Sequence, residues 1–247
     1  MGATRVVAKS ILPAVWEIPP KFLDRLGEKA GRQRAMFADG HLLLVLHGLP
    51  QPDDTERKGR YFWRKPDGVW SSDEFGSGPN ALVRHLGEYA SALERLEEQD
   101  ETAAGIEDYF AVLQELAPIH RASRNLHTAF QQAREMCPED RDIINFRDRA
   151  YRIERTAELL YQDARNSLDF AIAKRTEEQA LSSQKMSVSA HRLNVLAAFF
   201  FPIATLTALF GVNLKIGFEE VAPPFPFLGL LVLGLLLGYL LKLFVTR

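Results

Sequence analysis

The chain has few of the residues that build disulfide frameworks, metal clusters or catalytic motifs. Its 247 residues include one cysteine, Cys137, so no internal disulfide can form, which fits a reducing compartment for its soluble part. The six histidines, at 41, 47, 85, 120, 127 and 191, make no tight ligand pair with cysteine, so a structural zinc site is not expected. His120 and His127 share a helix face at a spacing of seven, too far for one metal without a third group. Charge of one sign is scarce too. The net charge of -2 leaves no broad basic surface for nucleic acid. There is no glycine-rich phosphate loop, nucleophile elbow or Ser/His/Asp arrangement, so an enzyme is not expected. Met1 to Ile11 carries charge but no long apolar core, which argues against a secretory signal and for a cytoplasmic soluble part.

Long apolar runs are present, at the C-terminal end. Leu193 to Phe210 reads LNVLAAFFFPIATLTALF without a charged side chain, and Gly211-Val212-Asn213 follows. A polar loop with Lys215, Glu219 and Glu220 leads to a second uncharged run, Phe225 to Leu241, closed by Lys242 and Arg247. Each run approaches the roughly 20 residues that cross a hydrocarbon core. Two such runs joined by about a dozen residues predict a membrane hairpin. The mean hydropathy of -0.13 is low only because roughly 190 soluble residues precede it. Lys185 and Arg192 before the first span, with Lys242 and Arg247 after the second, place both termini in the cytoplasm.

The first 78 residues read as α+β. Arg32 to Phe37, Asp39-Gly40 and Leu42 to Leu46 make a strand, a turn and a strand; Tyr61-Phe62-Trp63, Pro66-Asp67-Gly68 and Val69-Trp70 make a second hairpin. Pro20 to Lys29 is expected as a short helix with Phe22, Leu23 and Leu26 inward, Gln51 to Gly59 as a polar loop, and Ser71 to Asn80 as a Gly/Ser linker. From Ala81 the period is helical, with Leu82, Leu86, Tyr89, Leu93 and Leu96 on one face. The acidic run Glu94 to Glu101 marks a helix end, and most of it reads as a solvated face. A second helix carries Ile106, Phe110 and Leu113, then Leu126, Phe130 and Ala133, with Pro118 expected to kink it or start a new one. Pro138-Glu139-Asp140 is a helix-start signal.

In the third helix, Ile143, Phe146, Ala150, Ile153, Ala157, Leu160 and Ala164 form a heptad seam. Neither proline nor glycine occurs between Ile143 and Phe201, so one helix of order 100 Å is predicted to begin in the cytoplasm and end in the membrane.

Phe210-Gly211-Val212-Asn213 at the end of the first span, with Pro202 upstream, the second span and the stalk seam, resembles the CorA family of divalent-cation channels, which includes ZntB-like zinc transporters. That family closes its first span with Gly-Met-Asn; here Val212 replaces the methionine. The resemblance implies an α+β cytoplasmic domain with long antiparallel helices, continuing into a two-helix transmembrane hairpin, in a funnel-shaped homo-oligomer, by precedent a pentamer. The expected division is 1–78 (N-terminal subdomain), 79–138 (helical hairpin), 139–192 (stalk), 193–213 (first span), 214–224 (outer loop) and 225–245 (second span).

The function implied is passage of a divalent cation across the inner membrane, Mg²⁺ foremost with Co²⁺, Ni²⁺ or Zn²⁺ as others. No cofactor is expected beyond the cation, as cargo and regulator. The expected partners are further copies of the chain and the lipid bilayer. Gly211, Val212 and Asn213 would form the selectivity filter: glycine lets backbone approach a pore axis, and an Asn213 amide can hydrogen-bond the waters that Mg²⁺ sheds reluctantly. Counting back from Gly211 at helical spacing gives Ala208, Ala204, Phe201, Ala197, Leu193, Ala190 and Ser187 as the pore face, with Leu193 and Phe201 as apolar constrictions. Interhelical packing is the plainer role for such small residues. A rotation of about one residue would turn Asn194, Ala198 and Thr205 inward instead. Glu219 and Glu220 could draw cations to the outer mouth or simply be solvated. Carboxylates Asp142, Asp148, Asp163 and Asp169 lie on the stalk, with no motif that assigns a regulatory metal to any of them. A non-conducting scaffold that has lost transport, or a monomer anchored by its hairpin, are the competing readings.

Overall fold

The computed structural model describes residues 11–211 and 225–245. The elements are α1 (Pro20–Leu23), β1 (Arg34–Ala38), β2 (His41–His47), β3 (Gly59–Arg64), β4 (Trp70–Ser72), β5 (Gly76–Ser77), α2 (Asn80–Thr102), α3 (Ile106–Met136), α4 (Arg141–Gly211) and α5 (Phe225–Val245). They form two compact units that divide between Ile172 and Ala173, and α4 contributes to both.

The sheet is an antiparallel meander in the order β1-β2-β3-β4-β5. Its first turn needs two residues with positive φ, and Asp39 (51°) and Gly40 (78°) supply them; Ala38 pairs with His41 across it. β2 reads Leu-Leu-Leu-Val-Leu with no polar alternation because both of its faces are covered. Leu42, Leu44 and Leu46 join Phe62 and Trp70 against the helices. Leu43 and Val45 join Met36, Tyr61 and Trp63 beneath Leu12, Phe22 and Ala30 of the N-terminal segment.

Four expectations are corrected here. The helix after Pro19 is one turn, Pro20–Leu23, with Phe22 buried and Leu23 exposed. The expected Ser71–Asn80 linker holds the end of β4, the short β5 and the first residue of α2. Gly76 and Gly78 take positive φ there, and the Ser72 hydroxyl accepts from the Glu74 and Phe75 amides to close the hairpin. Pro118 does not start a new helix: α3 runs through it as one helix of 31 residues with Pro118 buried. The N-terminal half of α3 also presents a different face. Val112, Leu116 and Ile119 are buried, whereas Phe110 is exposed and Leu113 only half-buried.

The face of α2 at Leu82, Leu86, Tyr89, Leu93 and Leu96 is buried throughout, as are all seven seam residues of α4 from Ile143 to Ala164. Phe146 meets Trp70 of β4 edge-on and also packs on Phe130 of α3, so sheet, α3 and α4 share one core.

Candidate functional site

α4 begins in the unit that holds the sheet and runs on to Gly211 in the apolar end of the chain, so the site is built from that helix. Its start is fixed by Asp140, whose Oδ1 accepts from the amides of Asp142 (2.9 Å) and Ile143 (3.1 Å). Those amides have no intrahelical acceptor, which is what a capping carboxylate relieves. The other oxygen, Oδ2, pairs with the Arg64 guanidinium at the end of β3. One residue therefore caps the helix and ties it to the sheet.

Further along, His127 of α3 lies 2.5 Å through Nδ1 from Glu154 of α4 and packs on Tyr151, while His120 stacks on Tyr161. The two histidines that the sequence put on one face thus both meet α4. Neither the Asp140–Arg64 tie nor these contacts was read from the sequence; only the helix-start signal at Pro138-Glu139-Asp140 pointed that way.

A second polar cluster braces the sheet against α2. Arg60, 8% exposed, donates from Nε to Glu74 (2.8 Å) and from Nη1 to Glu88 (2.5 Å), and lies over the Phe75 ring. Its Nη1 also reaches His85 Nδ1 at 3.2 Å. Burial, aided by the Arg60 charge, pushes the His85 imidazole down to about 3, so it is neutral and accepts from Arg60 through Nδ1. At the acidic end of α2, Glu94, Glu97, Glu98 and Glu101 are exposed. Asp100 is held above the usual carboxylate range by burial and then by the charges of Asp163 and Glu101. The stalk carboxylates Asp142, Asp148, Asp163 and Asp169 are all exposed. Among the described residues, no three His, Cys, Asp or Glu side chains converge as a metal site would require.

From Ala173 onward α4 is nearly all exposed until Val195. It contains the one helix among the described residues long and apolar enough to cross a membrane, with none of that window buried. The expected second span is present as the helix α5, Phe225–Val245, whose side chains are described continuously only over the apolar stretch Leu231–Leu240. Ile203 and Phe199 of α4 lie against Gly234 and Gly238 of α5. Val195, Ala198, Phe199, Pro202, Ile203 and Leu206 are half-buried and mark this contact face.

Ala190, Leu193, Ala197, Phe201, Ala204 and Ala208 are exposed and fall on the opposite side of the helix at 100° per residue, whereas Ser187, also exposed, falls in line with Asn194 and Thr205. An open, mainly apolar groove there is lined by Phe201, Ala204, Thr205 and Ala208. Of the competing stripe, Asn194 and Thr205 are exposed but Ala198 lies on the contact face. Thr205 satisfies its hydroxyl internally, donating to the Phe201 carbonyl at 2.8 Å. Gly211 is the last residue of α4. Val212, Asn213, Glu219 and Glu220 lie outside the described residues.

Residues 76–247 match the family described as CorA-like Mg²⁺ transporter protein. No curated protein matches the sequence. Among solved structures, the ZntB cytoplasmic domain from Vibrio parahaemolyticus is similar at a TM-score of 0.52 and 15% identity, covering 65% of this chain and 80% of its own. That likeness is one of fold, the small antiparallel sheet with its long helix. The CorA magnesium transporter from Methanocaldococcus jannaschii matches at 0.46 and 14% identity, over 93% of this chain and 83% of its own. The full-length CmaX protein matches at 0.49 and 13%, over 100% and 93%.

Proposed function

This chain belongs to the family of CorA-like Mg²⁺ transporter proteins, and on that ground we propose that it carries divalent cations, Mg²⁺ foremost, down their electrochemical gradient through a pore made by several copies. One pair of apolar helices cannot enclose a channel, so the first span of each copy would line it and the second would lie outside. The observation that carries the reading is the exposed face of α4 from Ala190 to Ala208, turned away from α5 and leading to Gly211. In one copy this face has no cover. Large apolar side chains on it, Leu193 at 66% and Phe201 at 72% exposed, would be unfavourable in water. In a ring they would narrow a dry constriction between the cytoplasm and the filter.

The filter is assigned to Gly211, Val212 and Asn213, with one Asn213 amide per subunit meeting the water shell of the ion. Val212 would pack behind it. Glu219 and Glu220 would raise the cation concentration outside. No cofactor enters: the membrane potential supplies about 2.3 kcal/mol per charge per 100 mV, doubled for a divalent ion. Cations bridging carboxylates between cytoplasmic units would hold the stalks together, and their loss would let the pore open. Both termini would face the cytoplasm, with the loop at 214–224 outside. A pentamer is the proposed assembly.

Uptake of Mg²⁺, Zn²⁺, Co²⁺ and Ni²⁺ into proteoliposomes, each tested alone, decides the matter. Uptake abolished by Asn213→Ala in an intact oligomer is the result expected. The second reading, a non-conducting scaffold, rests on Val212 in place of methionine; it predicts an assembled oligomer that passes none of the four ions.

A further inference from the structure

We infer that Gly234 and Gly238 are positioning residues, a seat on α5 that fixes the rotation of α4 about its own axis and so selects which side chains line the pore. The pore itself rests on the reading above; the seat rests on contacts within the second unit.

Among the described side-chain positions of α5, only Gly234 and Gly238 are buried, with Leu231 half-buried beside them. Among the described side chains the contact is therefore a stripe at helical spacing, and Leu228, Leu233, Leu235, Leu236, Leu237 and Leu240 around it are exposed. Both glycines are needed for the closeness. A Cβ on Gly234 would fall 2.8 Å from Ile203 Cγ1, and one on Gly238 would fall 3.1 Å from the Phe199 carbonyl oxygen and 3.2 Å from its Cα. Gly229, in the same apolar run, has open space at that position, so glycine content alone does not make the seat. Small residues four apart allow backbones to approach in this way where water gives no hydrophobic drive.

The seat grips α4 where it is least able to hold its own direction. Phe199 and Ile203 flank Pro202, which has no amide to donate to the Ala198 carbonyl, so one rung of the helix ladder is missing between them. Residues 199 and 203 lie roughly opposite 197, 201, 204 and 208 at 100° per residue. A turn of α4 by one residue on α5 would bring Ala198 and Thr205 toward the pore side in place of Ala197 and Ala204. The glycines thus decide between an alanine-lined and a hydroxyl-lined passage.

The two seats fail differently, and that makes the test specific. The obstruction at Gly234 is a side chain, so Gly234→Ala should be relieved by Ile203→Ala in the same chain. The obstruction at Gly238 is backbone, so Gly238→Ala should not be relieved by Phe199→Ala. Thermal unfolding of the full chain in detergent reads this coupling without needing conduction or assembly. At least half of the Tm loss of Gly234→Ala should return in the double variant. Additive losses would overturn the seat.

A second readout follows register. In a Cys137→Ser background, Ala204→Cys and Thr205→Cys are oxidised in liposomes. Disulfide-linked dimers should form several-fold more readily at 204 than at 205. Gly238→Leu, or the milder Gly238→Ala, should reverse that ranking. An unchanged ranking in an intact oligomer contradicts the seat. Absence of cross-links at both positions in all variants contradicts the oligomeric pore instead, and the thermal coupling then decides the seat.

Discussion

Arg64 at the end of β3 and Asp140 ahead of α4 form an ion pair whose side chains are 18% and 13% exposed, while the same carboxylate caps α4 through its other oxygen. Asp140→Ala removes a cap, worth about 1 kcal/mol, and leaves a buried guanidinium whose one remaining described acceptor is the Lys65 carbonyl at 3.4 Å. A loss of roughly 3–4 kcal/mol is expected on those two effects. Asp140→Asn keeps the capping oxygen and should lose about half as much. Chemical unfolding of the sheet-bearing unit within the full chain measures both; equal losses would contradict the separation of the cap from the ion pair.

His85 makes stability depend on pH. Its folded pKa of about 3 lies below the ordinary 6.5, so the unfolded chain binds the proton more readily. The sign follows: stability is full above pH 6.5 and falls as pH drops from 6.5 toward 3. Going from pH 7 to 5 should cost about 2 kcal/mol, on the order of 1.4 kcal/mol for each unit below 6.5. His85→Gln retains an acceptor for Arg60 and does not titrate, so its unfolding should be flatter across that window. An equally steep decline in His85→Gln would assign the effect to other groups.

From Phe146 to Ala164 the seam of α4 alternates large and small side chains, and Ala157 is fully buried in it. Ala157→Leu should cost about 1–3 kcal/mol by overpacking. Leu159, 42% exposed, should tolerate Leu159→Ala within about 0.5 kcal/mol. Paired thermal unfolding curves of the two variants check the contrast.

Phe201 is 72% exposed and Ile203 is packed on α5. Phe201→Ala should therefore leave Tm unchanged and raise cation uptake several-fold by widening the proposed constriction. Ile203→Ala should lower Tm by contrast. Uptake unaltered by Phe201→Ala would remove that residue from the passage.

Much of the fold was legible because local chemistry and burial agreed. Asp39-Gly40 dictated the first hairpin, and the faces from Leu82 to Leu96 and from Ile143 to Ala164 each kept one helical period. The first half of α3 carried two apolar stripes, Ile106/Phe110/Leu113 and Val112/Leu116/Ile119, and the helix turns the second into the shared core. Pro118 had a breaker's chemistry, but its buried position in continuous core packing carried the helix through. β5 was too short and too rich in glycine to show a strand period.

The candidate site was legible as a stripe but not as a contact. Spacing back from Gly211 drew a stripe of residues that are exposed on α4, as Leu196, Phe200 and Thr207 also are, while the Gly234-x-x-x-Gly238 contact was hidden in a run apolar on every side. Its signal was the spacing of the two glycines. The Asp140–Arg64 tie spans 76 residues, beyond the reach of any local pattern.

Cation uptake into proteoliposomes, with Asn213→Ala beside the natural chain, tests the central claim most directly. The account predicts uptake of at least one of Mg²⁺, Zn²⁺, Co²⁺ and Ni²⁺ by the natural chain, and none by the variant, with both assembled as the same oligomer. Full uptake by Asn213→Ala, or none by an assembled natural oligomer at low internal Mg²⁺, would contradict it.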